Sequence, residues 1–173
     1  MASRSFGRPV TTRDELEEAV SAYTARAAEK MRRQNLATAS LQVFVETNRF
    51  RADEAQYFAT QPVQLPVATA DTGKLTSAAL RGLAAIWRPG FRYKKAGVIF
   101  LELRPAADVL GGLFDRPDSA DKQRLMRVVD ILNNRYGRDT ITYAASGRRR
   151  AWKLRSGQLS PRYTTSWEEL LRV

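Results

Sequence analysis

The sequence predicts an α+β fold: a four-stranded sheet carrying two helices on one face, in the order β-α-β-β-α-β, followed by a small α/β module. Three observations carry that expectation. Two segments, residues 13–34 and 75–86, repeat apolar side chains every three to four positions, as amphipathic helices do. Around them lie short extended stretches that alternate apolar and polar residues, as half-buried strands do. The stretch Arg92–Leu103 is apolar on both faces around Val98, Ile99, Phe100 and Leu101, which suits a central strand. Helices confined to one side of such a sheet make a two-layer sandwich.

The elements follow in order. Ser3–Arg8 is extended and Pro9 closes it. Thr12 is placed to cap a helix, with Glu15 three residues on as its capping-box partner. Leu16, Val20, Tyr23, Ala27 and Met31 then mark one face of a helix over Arg13–Gln34, which Asn35 ends. Its first turn is acidic (Asp14, Glu15, Glu17, Glu18) and its last is basic (Lys30, Arg32, Arg33), matching the helix dipole. Ala39–Thr47 places Leu41, Val43 and Val45 on one face and Gln42, Phe44 and Glu46 on the other, which makes a strand. Asn48–Thr60 reads as a loop. Val63, Leu65 and Val67 alternate again, and Pro66 assigns that strand to an edge or a bulge.

Asp71 or Thr72 caps the second helix, whose buried stripe is Leu75, Ala79, Leu83 and Ile86, and Pro89-Gly90 stops it. The chain then divides into a first domain over residues 1–104, a linker over 105–120 and a second module over 121–173. Pro105, Gly111, Gly112 and Pro117 give the linker its character. In the second module Asp121–Tyr136 is a helix with Leu125, Val128, Val129 and Leu132 inward. Thr140–Ala144 and Ala151–Arg155 are expected to be short strands either side of a turn at Gly147-Arg148-Arg149-Arg150. A module this small needs to pack on the first domain or on a partner.

Composition narrows the function. The chain has 173 residues, with no cysteine and no histidine. Disulfides, thiolate zinc sites, cysteine nucleophiles and imidazole bases are therefore excluded. No apolar run approaches the roughly 20 residues that span a membrane, and no apolar signal core follows Met1. Lys and Arg number 29 against 18 Asp and Glu, a net charge of +11. Residues 1–104 carry +6 of this and residues 105–173 carry +5, so the excess is not a basic tail. That balance on a folded domain points to a polyanion, usually nucleic acid, as partner.

Several words in the chain resemble the UmuC-like branch of the Y-family translesion DNA polymerases. The polar stretch Ser160-Pro161-Arg162-Tyr163-Thr164-Thr165-Ser166-Trp167-Glu168-Glu169-Leu170 resembles the C-terminal signature of that branch. Leu125-Met126, Val129-Asp130, Asn133, Tyr136-Gly137-Arg138 and Trp152-Lys153-Leu154 fall where the resemblance wants them. Arg4-Ser5-Phe6-Gly7 resembles the first strand of the family's little finger domain, and Lys94-Lys95-Ala96-Gly97-Val98 its basic pair followed by Gly-Val.

The resemblance implies a C-terminal region: little finger domain, linker and UmuC-type module of a DNA polymerase V catalytic subunit. In that family the open sheet face lies along the DNA and touches phosphates without reading bases. Phosphate contacts need cations, hydroxyls and backbone N–H groups, and they give affinity without sequence information. The residues that fit are Arg4, Ser5, Lys74, Arg92, Lys94 and Lys95. Gly97 would let a nucleic-acid backbone come close. Alternatively, Lys94 and Lys95 are solvated edge charges that discourage aggregation. Arg49, Arg51 and Arg148-Arg149-Arg150 are further cations with either role open.

Such polymerases carry a sliding-clamp peptide in the linker, commonly Gln-x-x-Leu-Phe. Here Leu113-Phe114 supply the apolar pair and Leu110 stands at the Gln position. The other reading is that the pair pins the linker to the core. The tail and the helix around Leu125–Leu132 resemble the segment that engages processed UmuD, with Tyr163, Trp167 and Leu170 as anchors. Trp152 and Trp167 could instead be the core of the module. RecA is a further family partner for which no residue marks a contact. The implied setting is SOS-induced bypass of damaged DNA in the bacterial cytoplasm, associated with the nucleoid when active.

The expectation for chemistry is negative. Y-family catalysis uses palm carboxylates to hold two Mg2+ ions, and the pairs Glu17-Glu18 and Asp53-Glu54 lie on a helix surface and in a loop. The chain alone is expected to hold no cofactor and to polymerise nothing. The rival reading is a stand-alone regulatory protein that competes for the clamp or UmuD without binding DNA. A third is a basic nucleic-acid-binding domain unrelated to polymerases.

Overall fold

The computed structural model describes residues 1–112, 114–154, 163 and 165–170. Strands β1 (Ala2–Val10), β2 (Leu36–Thr47), β3 (Phe58–Thr69) and β4 (Tyr93–Pro105) form one antiparallel sheet in the order β1-β4-β2-β3. Helices α1 (Arg13–Arg33) and α2 (Thr72–Ile86) pack against each other and against one sheet face. This is the α+β sandwich expected, with β4 central and the proline-bearing β3 at an edge.

The local chemistry explains the boundaries. The Thr12 hydroxyl accepts the Glu15 backbone N–H at 3.4 Å and starts α1. The Glu15 carboxylate, however, turns to the Arg8 guanidinium, so the reciprocal half of the capping box is not made. Asn35 adopts φ +54° just beyond α1 and reverses the chain directly into β2, which therefore begins at Leu36, three residues earlier than predicted. Asp71 caps α2 by accepting the Lys74 N–H at 2.8 Å. β3 begins at Phe58, inside the stretch read as a loop, because Glu46–Ser40 of β2 offers it an unbroken antiparallel partner.

The core lies between the sheet and the two helices. Leu16, Val20, Leu75 and Leu83 from the helices meet Leu41, Val43, Val45 and Val98 from the sheet, all fully buried. The second module joins this core. Its Trp152 is 4% exposed and stands edge-on to Phe6 at 6.1 Å and Tyr23 at 5.7 Å. The Trp152 indole N–H donates to Glu18 at 3.2 Å, and its carbonyl accepts the Gly7 N–H at 3.0 Å. Trp152 is thus a core residue of the first domain and not of its own module.

Helix α3 (Ala120–Tyr136) is held by a different chemistry from the one predicted. Arg32 of α1 makes a two-pronged pair with Asp130 at 2.7 Å for each prong, and also donates to the Ala70 carbonyl and the Thr72 hydroxyl at 2.8 Å. Met126 is the buried apolar side chain of α3 and receives the Tyr143 hydroxyl at 3.4 Å. Leu125 and Val128, predicted to face inward, are instead exposed, and Leu132 is only half-buried. The polar anchor turns the helix so that the Met126–Asp130 face points inward.

The two short strands predicted after α3 are absent among the described residues. The Asn133 side chain takes both backbone groups of Ile141, accepting its N–H at 2.8 Å and donating to its carbonyl at 3.0 Å. A strand partner has nothing left to pair with there. Ala144–Ser146 forms a 3-10 turn and residues 151–153 a bend stitched by Lys153 N–H to the Arg150 carbonyl at 2.9 Å. Arg155 lies outside the described residues.

Candidate nucleic-acid interface and docking segments

Among the described residues no helix covers the sheet face opposite α1 and α2, and strand register decides which side chains reach it. Residues directly opposite in antiparallel strands share a face. Ser3 pairs with Gly97, Ser5 with Lys95, Phe44 with both Gly97 and Thr60, and Gln42 with Pro62. These stand on the open face, because the intervening Leu41, Val43, Val45, Ala96 and Val98 are in the core. The Lys95 ammonium sits 5.8 Å above the Phe44 ring, a cation on an aromatic platform.

The six expected DNA-binding residues do not converge. Ser5 and Lys95 are cross-strand neighbours on the open face. Arg4 pairs with Ala96 and so faces the helix side, near Tyr23. Burial pushes the Tyr23 phenol up to about 12, while the charges of Arg4 and Arg26 pull the other way. Lys94 is the extra residue of a bulge, since Glu46 pairs with Lys95 and Thr47 with Tyr93. Its ammonium donates to the Phe6 carbonyl at 3.1 Å. Arg92 precedes β4, is exposed, and pairs with Glu54 at 3.4 Å. Lys74 lies at the start of α2, at the opposite end of the sheet from the β2–β3 hairpin, paired with Asp118 at 2.8 Å.

Asp118 anchors the linker there. Burial alone would raise its pKa, but the bonds from Lys74, Thr69 and the Ala70 N–H outweigh it and hold the carboxyl below its ordinary value. Gly97 has a structural cause: a Cβ there would strike the Phe44 ring and the Ser3 side chain. The space it clears is filled by protein, not left for a nucleic-acid backbone. Sequence reasoning missed two neutral groups of the face, Ser3 and Thr60, which the β1–β4 and β2–β3 registers bring there. It also missed Phe50, 91% exposed between Arg49 and Arg51 at the hairpin tip. These arginines pair with Glu46 and Glu54, exposed contacts that a phosphate could exchange for.

The linker and tail present apolar side chains outward. Leu110 is 86% and Phe114 92% exposed, so Phe114 does not pin the linker to the core. The Gly112 N–H closes a turn on the Asp115 carbonyl at 2.9 Å. Leu113 lies outside the described residues. Trp167 is 90% exposed in a 3-10 turn, and Tyr163 and Leu170 are exposed beside it, lining one shallow depression with Thr165 and Ser166. Among the described residues no helix is long and apolar enough to cross a membrane.

Sequence comparison assigns this sheet-and-helix domain to a class. Residues 1–113 match the family model described as the impB/mucB/samB family C-terminal domain, and the chain belongs to that family. Residues 123–173 match a second model, described as a domain of unknown function (DUF4113). The chain is similar throughout to Protein UmuC of Salmonella typhimurium strain LT2, 38% identical over 174 residues that cover 100% of this chain and 41% of that protein. Protein ImpB of Salmonella typhimurium is 34% identical over 98% of this chain and 40% of its own length. Protein MucB of Escherichia coli is likewise 34% identical, over 98% of this chain and 40% of its own length. The chain therefore spans about two fifths of the length of these relatives.

Proposed function

We propose that this chain is the DNA-gripping and partner-docking region of a UmuC-like Y-family translesion polymerase, working in SOS bypass of damaged templates. The observation that carries the reading is the open sheet face, where Lys95, Ser5, Ser3 and Thr60 offer a cation and hydroxyls and no helix among the described residues intervenes. Such groups bind phosphates of any sequence, as a polymerase requires. Fluorescence anisotropy of a labelled primer-template, titrated with salt, tests it. Binding that ignores sequence, weakens steeply with salt and falls with Lys95→Ala is the expected result. No binding at low salt would remove the DNA role and favour the competitor that docks proteins alone.

Two docking roles belong to the same reading. The exposed Leu110 and Phe114 support a sliding-clamp peptide that lacks the glutamine anchor. Capture on immobilised clamp should fall with Phe114→Ala; unchanged capture would end that role. The exposed Trp167, Tyr163 and Leu170, together with the outward stripe Leu125, Val128 and Ile131, support a UmuD-binding surface. Among the described residues no group of three or more carboxylates is placed to hold a metal ion.

A further inference from the structure

We infer that the Gly147–Leu154 segment of the second module is a second phosphate-binding surface, which carries the DNA backbone from the sheet around the edge of β1. The inference rests on the DNA-gripping reading above and extends it to a segment of the second module that the docking roles do not use.

The segment is built against β1. The Gly7 N–H donates to the Trp152 carbonyl, and a Cβ on Gly7 would press on the Lys153 carbonyl at 2.9 Å. The bare backbone of Gly7 is what lets Lys153 lie this close. Gly7 follows Ser5 by two residues, about 7 Å along a strand. That step is comparable to the distance between neighbouring phosphates along one DNA strand, which winds about the axis and so exceeds its roughly 3.4 Å axial rise. A backbone resting on Ser5 and Lys95 therefore reaches Lys153 within a few nucleotides.

The cations here are free to act. Arg148, Arg149 and Lys153 line an open cleft, and all three are exposed. None of their side chains has an ion pair or hydrogen bond, and none is among the residues with an unstated contact. Their neighbour Arg150 differs: it is mostly buried and bonded to Asp139 at 2.6 Å and to the Ser146 and Gly147 carbonyls. Arg150 holds the turn while its neighbours point outward. The turn is held from below too. Gly147 has φ +65°, and any side chain on it would collide with the Glu18 carboxylate. Glu18 is occupied by the Trp152 indole and does not pair with these arginines. The result is three unpaired cations on a braced loop, which is the arrangement that counterion release rewards.

The test is the salt dependence of duplex binding by the full chain. The triple variant Arg148→Ala/Arg149→Ala/Lys153→Ala should make the slope of log affinity against log salt shallower by about 2 to 3, and weaken binding about tenfold at moderate salt. Lys95→Ala should lower the slope by about 1. Arg81→Ala, at an exposed position of α2 in the helix layer, should change neither and serves as the single-charge control away from both surfaces. Hydrogen exchange at the Gly7 N–H, which donates to the Trp152 carbonyl, reports that the segment stays docked. If the unaltered chain binds and the triple variant behaves like Arg81→Ala, the second surface is overturned and the sheet role stands. If the unaltered chain does not bind, both are overturned.

Discussion

Trp152→Ala is the sharpest perturbation of this architecture, because one side chain joins two modules. The ring is 4% exposed, so about 200 Å² leaves water on folding, worth about 5 kcal/mol at 25 cal/mol per Å². Its edge-on contacts with Phe6 and Tyr23 add about 0.5–1.5 kcal/mol each. Partial collapse of the cavity returns some of this, which leaves a net loss of about 3–5 kcal/mol, the usual range for a buried aromatic cut to alanine. Glu18 loses its indole donor but is only half-buried, so water replaces it at small cost.

Urea unfolding followed by circular dichroism should show the midpoint falling with little change in slope, since Phe6, Tyr23 and Trp152 belong to one core. Trp152→Phe, which keeps the ring contacts, should lose clearly less. A loss below about 1 kcal/mol for Trp152→Ala would refute the reasoning: the ring would then be a lid over a core complete without it. A separate early transition would refute it differently, by making the module a unit that detaches on its own.

Three further outcomes follow from the same contacts. Asp118→Asn should cost about 1–3 kcal/mol at pH 7, because bonds from Lys74, Thr69 and Ala70 converge on the carboxylate. The folded pKa lies below the ordinary value, so the contribution is whole above about pH 4 and fades as pH falls through the folded value. The variant should therefore lose part of the acid dependence of stability, and urea midpoints between pH 2 and 7 would show it. Asp130→Ala should cost about 3 kcal/mol by leaving Arg32 half-buried without its partner. Hydrogen exchange should speed up first in α3, and equal protection would count against the anchor. Gly97→Ala should cost about 1–3 kcal/mol by pushing Phe44 and Ser3 apart, with a melting point lower by several degrees.

Which parts of this structure were legible in the sequence follows from what holds each part. The sandwich is held by apolar burial, and apolar burial writes itself as period. Leu41, Val43 and Val45 alternate because every second residue meets the core, and Leu16 through Met31 recur because α1 has one buried face. Pro66 marked an edge because an edge is where a missing N–H is tolerated. The candidate site was less legible, since it depends on register. Ser5 against Lys95 and Arg4 against Ala96 follow from which residues pair, and a bulge at Lys94 inverts the count beyond it.

The second module reverses the logic. Its inward face is set by Arg32–Asp130 and by Asn133 on Ile141, polar contacts whose partners lie up to 98 residues apart. No local pattern announces them. The periodic stripe of α3 is apolar but only partly inward: Val129 and Leu132 are half-buried, while Leu125 and Val128 are exposed. Leu125, Val128 and Ile131 remain outside because the salt bridge and the Met126 contact fix the rotation of the helix. A helix held by a polar pair leaves its apolar stripe open to solvent, which is the surface the proposed docking role uses. The rotation makes a direct prediction. Breaking Arg32–Asp130 should free α3 to turn its stripe toward the domain, and capture of a UmuD-like protein should weaken even though no displayed side chain has changed. Undiminished capture by Asp130→Ala would separate the stripe from the docking role and leave the tail around Trp167 to carry it.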